Sequence, residues 1–234
     1  MNHSATNQTS RPSSIIIIGG GTAGWMAANS FLHKWGRFGT KVTLVESKQI
    51  GTIGVGEGST PYLKQYFSDL GIQEHEWMPA CDATYKAGIE FSKWSTLSGF
   101  ERYFHPFFSE LDLQPGEYFF HNADLRRKGF DCNAHPDPYF VSTAIATQGR
   151  SPVPNERLMM ATDYGYHFDA AKLGQFLQKL AVNKGLRHIL DDVQHVNVNK
   201  QGLVNHIICA QQGLLGADLF VDCSGFSGVL VNKA

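Results

Sequence analysis

The sequence has no long apolar run. Its most hydrophobic punctuation is four isoleucines at 15–18, far short of the roughly twenty residues that cross a bilayer, so no membrane span is predicted. Charge of either sign is not in excess. With 20 Lys and Arg against 21 Asp and Glu, the formal net charge is −1, which gives no field for nucleic acid or an anionic membrane surface. Cysteine is scarce, and Cys81, Cys132, Cys209 and Cys223 lie far apart. Neither a disulfide framework nor a thiolate metal site is expected from that spacing. The ten histidines form no HxH or HxxxH set, so no structural metal is predicted. Residues 1–13 are polar, lack the apolar stretch of a signal peptide and read as a disordered leader, which points to a cytoplasmic protein. There is no repeat and no low-complexity block. What remains, 234 residues with 42% hydrophobic and 18% charged, is enough for a large globular core.

What the sequence does have is glycine in particular places. The stretch IIIIGGGTAGWMAA at 15–28 opens with a wholly apolar, β-branched run that suits a parallel strand buried on both faces. Gly19, Gly21 and Gly24 then follow with the GxGxxG dinucleotide spacing. The first glycine makes the tight turn, the second admits a pyrophosphate to the backbone, and the third lets helix pack on strand. Such a pyrophosphate lies over residues 21–24, so Thr22 and Ala23 join the candidate set, with a helix over 25–34 directing its N-terminal dipole at the anion. The motif alone is weak, since any strand-to-helix turn can carry glycines. The context strengthens it: KVTLVE at 41–46 reads as a second strand ending in Glu46, about twenty residues on, where a carboxylate accepts ribose hydroxyls.

Downstream, GTIGVGEGSTP at 51–61 reads as a loop pressed close to something. A helix follows, with Leu63, Tyr66, Phe67 and Leu70 on one face and Gly71 as its stop. Residues 83–91 alternate as one strand, with Tyr85 on the apolar face and Lys86 on the other. Residues 99–156 are rich in Phe, Tyr, His and Pro without a steady period, and read as irregular cover holding short elements. Asp169 is a plausible N-cap for a helix with Leu173, Phe176, Leu177 and Leu180 on one face and Gly185 past its end. Strands are expected at 188–190, 193–198, 203–209 and 219–223, the middle two joined through a turn at 199–202. A nucleotide unit, an interrupting layer, and then an antiparallel crossover before the last strand suit FAD better than NAD. The predicted fold class is therefore α/β: a Rossmann-like FAD-binding fold with a parallel sheet, an antiparallel crossover and an irregular aromatic-rich insertion at about 83–160 that serves the substrate side. A single domain is expected over 14–234. A chain ending directly after such a strand is expected to be part of a longer protein.

Three blocks together resemble the flavin-dependent tryptophan halogenases: GGGTAGWMAA at 19–28, with Trp25 directly after the third glycine; GVGEGSTP at 54–61, with Ser59 where the family commonly has Thr; and CDATYKAGIEF at 81–91. YHFDA at 166–170 and ADLFVDCSGFSG at 217–228 match as well. The resemblance implies that reduced FAD and dioxygen oxidise chloride or bromide to hypohalous acid, which a lysine then delivers to the carbon of an indole or other small aromatic substrate. Motif for motif, that lysine is Lys86; a dry, apolar surrounding favours the neutral, nucleophilic amine. The bland alternative is a solvated lysine on an exposed strand face. The resemblance further implies flavin-side roles for Glu57 and Gly58, an adenine-side backbone role for Val193, and aromatic-sandwich positions at His105 and Phe107, although ordinary packing also explains the last two. It implies a separate NAD(P)H-dependent flavin reductase as partner and leaves a homodimer open.

The family's Trp-x-Trp-x-Ile-Pro signature is absent from these residues, and the positions that would supply its second catalytic acid are absent with it, so no halogenase turnover is expected of these residues alone. An FAD-dependent aromatic hydroxylase and a non-catalytic flavin-binding fragment are the competing readings.

Overall fold

The computed structural model describes residues 11–48, 56–154 and 162–233. In chain order the elements are β1 (Ser14–Ile18), α1 (Thr22–Trp35), β2 (Lys41–Glu46), β3 (Gly56–Gly58), α2 (Tyr62–Asp69), α3 (Glu74–Trp77), β4 (Thr84–Lys86), β5 (Gly88–Ser92) and β6 (Arg102–Pro106). Then come α4 (Leu113–Arg127), α5 (Val141–Thr147), β7 (Gly165–Asp169), α6 (Ala170–Asn183), β8 (Arg187–Leu190), β9 (Val193–Val198), β10 (Val204–Cys209), β11 (Gly213–Leu215) and β12 (Leu219–Asp222). They fall into two compact units, one made of Met1–Val55 with Asp169–Ala234, the other of Gly56–Phe168.

The first unit is built on a parallel sheet in the order β12-β1-β2-β8. Its central strand is the isoleucine run, with Ile15 and Ile17 wholly buried and Ile16 and Ile18 nearly so, which is what an interior strand covered on both faces requires. Successive residues point to opposite faces. Ile16 and Ile18, with Val45 and Ile189, meet Val196, Ile207 and Cys209 of the antiparallel sheet β11-β10-β9. That sheet is the predicted crossover, and its hairpin closes through Asn199, whose N–H donates to Leu203 O at 2.9 Å. α1 packs on β1 and β2 and against α6. Between the two helices the buried Asn29 donates its side-chain amide to Trp25 O (3.0 Å) and Leu177 O (2.8 Å). Asp169 caps α6 as expected, accepting from the Lys172 N–H at 2.9 Å.

The second unit carries a three-stranded sheet, β3-β7-β4, and a hairpin, β5-β6. Here the structure corrects three expectations. The single strand expected over 83–91 is two strands in different sheets, broken at Ala87, whose carbonyl accepts instead from Phe107 N–H at 3.1 Å. Within the expected glycine loop, residues 51–55 lie outside the described residues, and Gly56–Gly58 forms an edge strand rather than loop. The irregular cover at 99–156 contains the 15-residue α4. Pro115 and Gly116 stand in its first turn, where a missing N–H costs nothing. Apolar Leu113, Tyr118 and Phe120 are exposed, so no apolar stripe announces it. All four cysteines are free. Among the described residues no helix is long and apolar enough to cross a membrane, and no group of three or more His, Cys, Asp or Glu is placed to hold a metal ion.

Candidate functional site

The glycine loop of the first unit is fixed at both ends. Gly19 N–H donates to Val45 O at 2.9 Å, and Cys223 N–H to Ile18 O at 2.8 Å. Gly19 has φ +111°, and a Cβ there would run into the Cys223 carbonyl; one at Gly24 would strike Gly19 O. These two glycines serve backbone packing. Gly21 is different, with an ordinary φ of −74° as N-cap of α1 and, among the described residues, nothing within 4 Å of where its Cβ would stand. The first helical bond is Trp25 N–H to Gly21 O at 3.1 Å. The amides of Thr22, Ala23 and Gly24 therefore have no intrahelical acceptor, and the first turn carries no acidic side chain. Amides without partners at a helix N-terminus favour an anion by charge.

Glu46, at the end of β2, does lean over this loop, its Oε2 occupying the place of a Cβ at Gly20. Its Oε1 lies 2.8 Å from His188 Nε2 on β8, a partner the sequence did not disclose. Val193 opens β9 opposite Cys209 and packs on the core between the sheets.

In the second unit, the antiparallel register Thr84↔His167, Tyr85↔Tyr166, Lys86↔Gly165 sorts side chains onto two faces. On one face Tyr85, Tyr164 and Tyr166 donate their hydroxyls to a single carboxylate, Glu74, at 3.0, 2.7 and 2.7 Å. Behind them Trp77 stacks on Phe67 with centroids 4.3 Å apart. Burial first, then the Glu74 bond and charge, push the Tyr164 and Tyr166 phenols well above the ordinary tyrosine value.

On the other face stands Lys86. Its Nζ lies 5.7 Å from the Phe107 ring centroid and 2.9 Å from where a Cβ at Gly58 would be, with His167 Cδ2 at 3.1 Å from the same point. Gly58 thus leaves a gap across which Lys86 and His167 are neighbours. Burial, and next the charge of Lys86, hold His167 below the usual histidine value. A cavity of about 360 Å³ opens here, lined among others by Lys86, Gly88, Phe104, Arg150, Ser151 and His167. Phe107 is buried beside Lys86, whereas His105 is exposed, opposite Ile89, its ring 6.4 Å from Phe91. Glu57 is exposed on β3. His167 lies in the YHFDA block, and only the register of β7 on β4 puts it on the Lys86 face.

A parallel βαβ unit with a glycine turn, an open helix N-terminus and an acid at the second strand's end is the architecture of the dinucleotide-binding α/β proteins. More narrowly, the chain belongs to the tryptophan halogenase family, whose profile, described as Tryptophan halogenase, matches residues 14–234. It is 37% identical to Tryptophan 6-halogenase SttH of Streptomyces toxytricini over 254 residues, which takes in 97% of this chain and 46% of that protein. It is 39% identical to Tryptophan 7-halogenase RebH of Lentzea aerocolonigenes over 240 residues, 94% of this chain and 44% of that one. The crystal structure of SttH superposes with a TM-score of 0.77 at 34% identity, covering 96% of this chain and 46% of the other. The chain spans less than half the length of these relatives.

Proposed function

We propose that this chain is the flavin-binding portion of a halogenase, holding FAD with its diphosphate over residues 21–24 and an adenosine ribose on Glu46. The observation that carries this reading is Gly21. It alone of the loop's tightly spaced glycines has no described residue within 4 Å of its Cβ position, and it stands beside three helix amides without intrahelical acceptors. When bound, reduced FAD would supply, with dioxygen, the two-electron oxidation of chloride or bromide. Lys86 is the amine for receiving the electrophilic halogen, and Phe107 offers an aromatic face beside it. The names of the relatives, tryptophan 6- and 7-halogenases, support tryptophan or another small indole as substrate. A separate NAD(P)H-dependent flavin reductase would deliver the reduced cofactor, which sets the reaction in the cytoplasm.

The test uses Gly21→Val. Because a Cβ there meets nothing and φ is ordinary, the variant should fold like the parent and fail to retain FAD in a fluorescence titration. A folded Gly21→Val chain with unchanged FAD affinity would rule out this placement.

A further inference from the structure

We propose that His188 is the positioning residue for Glu46, and that Trp25, the residue singled out beside the glycines, holds His188 in turn. This rests on the flavin reading above. A carboxylate at a strand end has several rotamers, and freezing one of them costs conformational entropy. Here the rotamer is set before any ligand arrives. β8 runs parallel to β2 with Leu44 beside His188, so Glu46, two residues on, shares the face of His188 and lies diagonal to it. His188 Nε2 meets Glu46 Oε1 at 2.8 Å, with both side chains about four-fifths covered. An ionised carboxylate only accepts, so Nε2 carries the hydrogen in this bond. The imidazole is braced edge-to-face by Trp25, centroids 5.1 Å apart at 71°, and Trp25 is 2% exposed in the first turns of α1. The bond uses one lone pair of Oε1. The second lone pair of Oε1, and Oε2 where it lies over Gly20, are the acceptors left for the ribose hydroxyls. The same helix that presents amides to a diphosphate therefore also fixes, through an indole and an imidazole, the acid that reads the ribose.

The experiment measures affinities of the full chain for FAD, FMN, ADP and 2′-deoxy-ADP. The parent should prefer ADP to 2′-deoxy-ADP, since a site built to bond a hydroxyl rejects the analogue lacking it. His188→Phe should erase that preference and weaken FAD roughly tenfold, the low end of what losing the partner behind a metal-ligating side chain costs, while FMN, which has no adenosine ribose, keeps its affinity. His188→Gln, which retains an N–H donor, should restore most of the discrimination. If His188→Phe does not fold, Trp25→Phe serves in its place, with partial loss of the same preference expected. Retained ribose discrimination in the folded variant, or equal weakening of FMN and FAD, overturns the proposal. A parent without affinity for FAD or ADP would instead overturn the flavin reading itself, and this inference with it.

Discussion

Replacing Glu74 should unfasten β4 from β7 and so loosen the strand that carries Lys86. Three phenols donate to this carboxylate, at 2.7, 2.7 and 3.0 Å. Tyr166 is 0% and Tyr164 4% exposed, while Tyr85 is 37% exposed. Only Tyr85 can exchange its lost bond for water. Glu74→Ala leaves two buried hydroxyls unsatisfied, at about 2 kcal/mol each, for a total of about 4 kcal/mol. Glu74→Gln keeps an acceptor for both and loses only the charge assistance, so about 1–2 kcal/mol is expected. Urea unfolding monitored by hydrogen exchange at β4 and β7 amides measures the difference in the right unit. A second readout is alkaline titration. A raised phenol value means that stability is fully present below about pH 10 and is lost as pH rises towards the folded value. Tyr164 and Tyr166 should thus stay un-ionised in the folded parent at pH values where free tyrosine ionises. Equal, sub-kilocalorie effects for both substitutions would refute the view of Glu74 as a tie between α3, β4 and β7.

The His167 ring, followed by NMR, should titrate below the usual histidine value, and Lys86→Met should move it upward because burial then acts alone; an unmoved titration would mean that the two side chains do not share a face. Asp218 accepts from Ser13 N–H (2.8 Å), Ser13 Oγ (2.7 Å) and Ser14 N–H (2.9 Å), and the Ser13 hydroxyl bond foremost lowers its carboxyl value. Its contribution is complete above about pH 4 and disappears as pH falls through the folded value, so Asp218→Asn should flatten the acid limb of the urea midpoint against pH; an unchanged limb would refute the assignment.

The nucleotide half was legible because its signals are local. Four isoleucines, glycines at fixed offsets and an acid closing the next strand each act within a few residues of themselves. The partners of those residues were not legible. Glu46 and His188 are 142 positions apart, and only the register of β2 on β8 makes them neighbours. Tyr166 and Glu74 are 92 apart. The alternation at 83–92 was real but could not reveal the break at Ala87, because two short strands in the same phase look like one long strand. α4 escaped for the opposite reason: its apolar residues lie all around the helix, with only Gly116 buried, so no 3.6-residue period exists to be read. Lys86 was placed on the face away from Tyr85, and it lies there; the nearness of Phe107 and His167 to it was hidden in the pairing of β4 with β7 and in the break at Ala87.

The two units also differ in when they can exist. Gly56–Phe168 is one unbroken stretch, whereas the parallel sheet joins β1 to β12, residues such as Ser14 and Asp218 meeting across 204 positions. On a ribosome adding about 5–20 residues per second, the inner unit is complete in sequence several seconds before β12 emerges. During that time the isoleucine strand has a partner on one side and an unpaired edge on the other, the arrangement most prone to recruiting a strand from another chain. Newly made copies are therefore most open to mispairing at 15–18 during that interval.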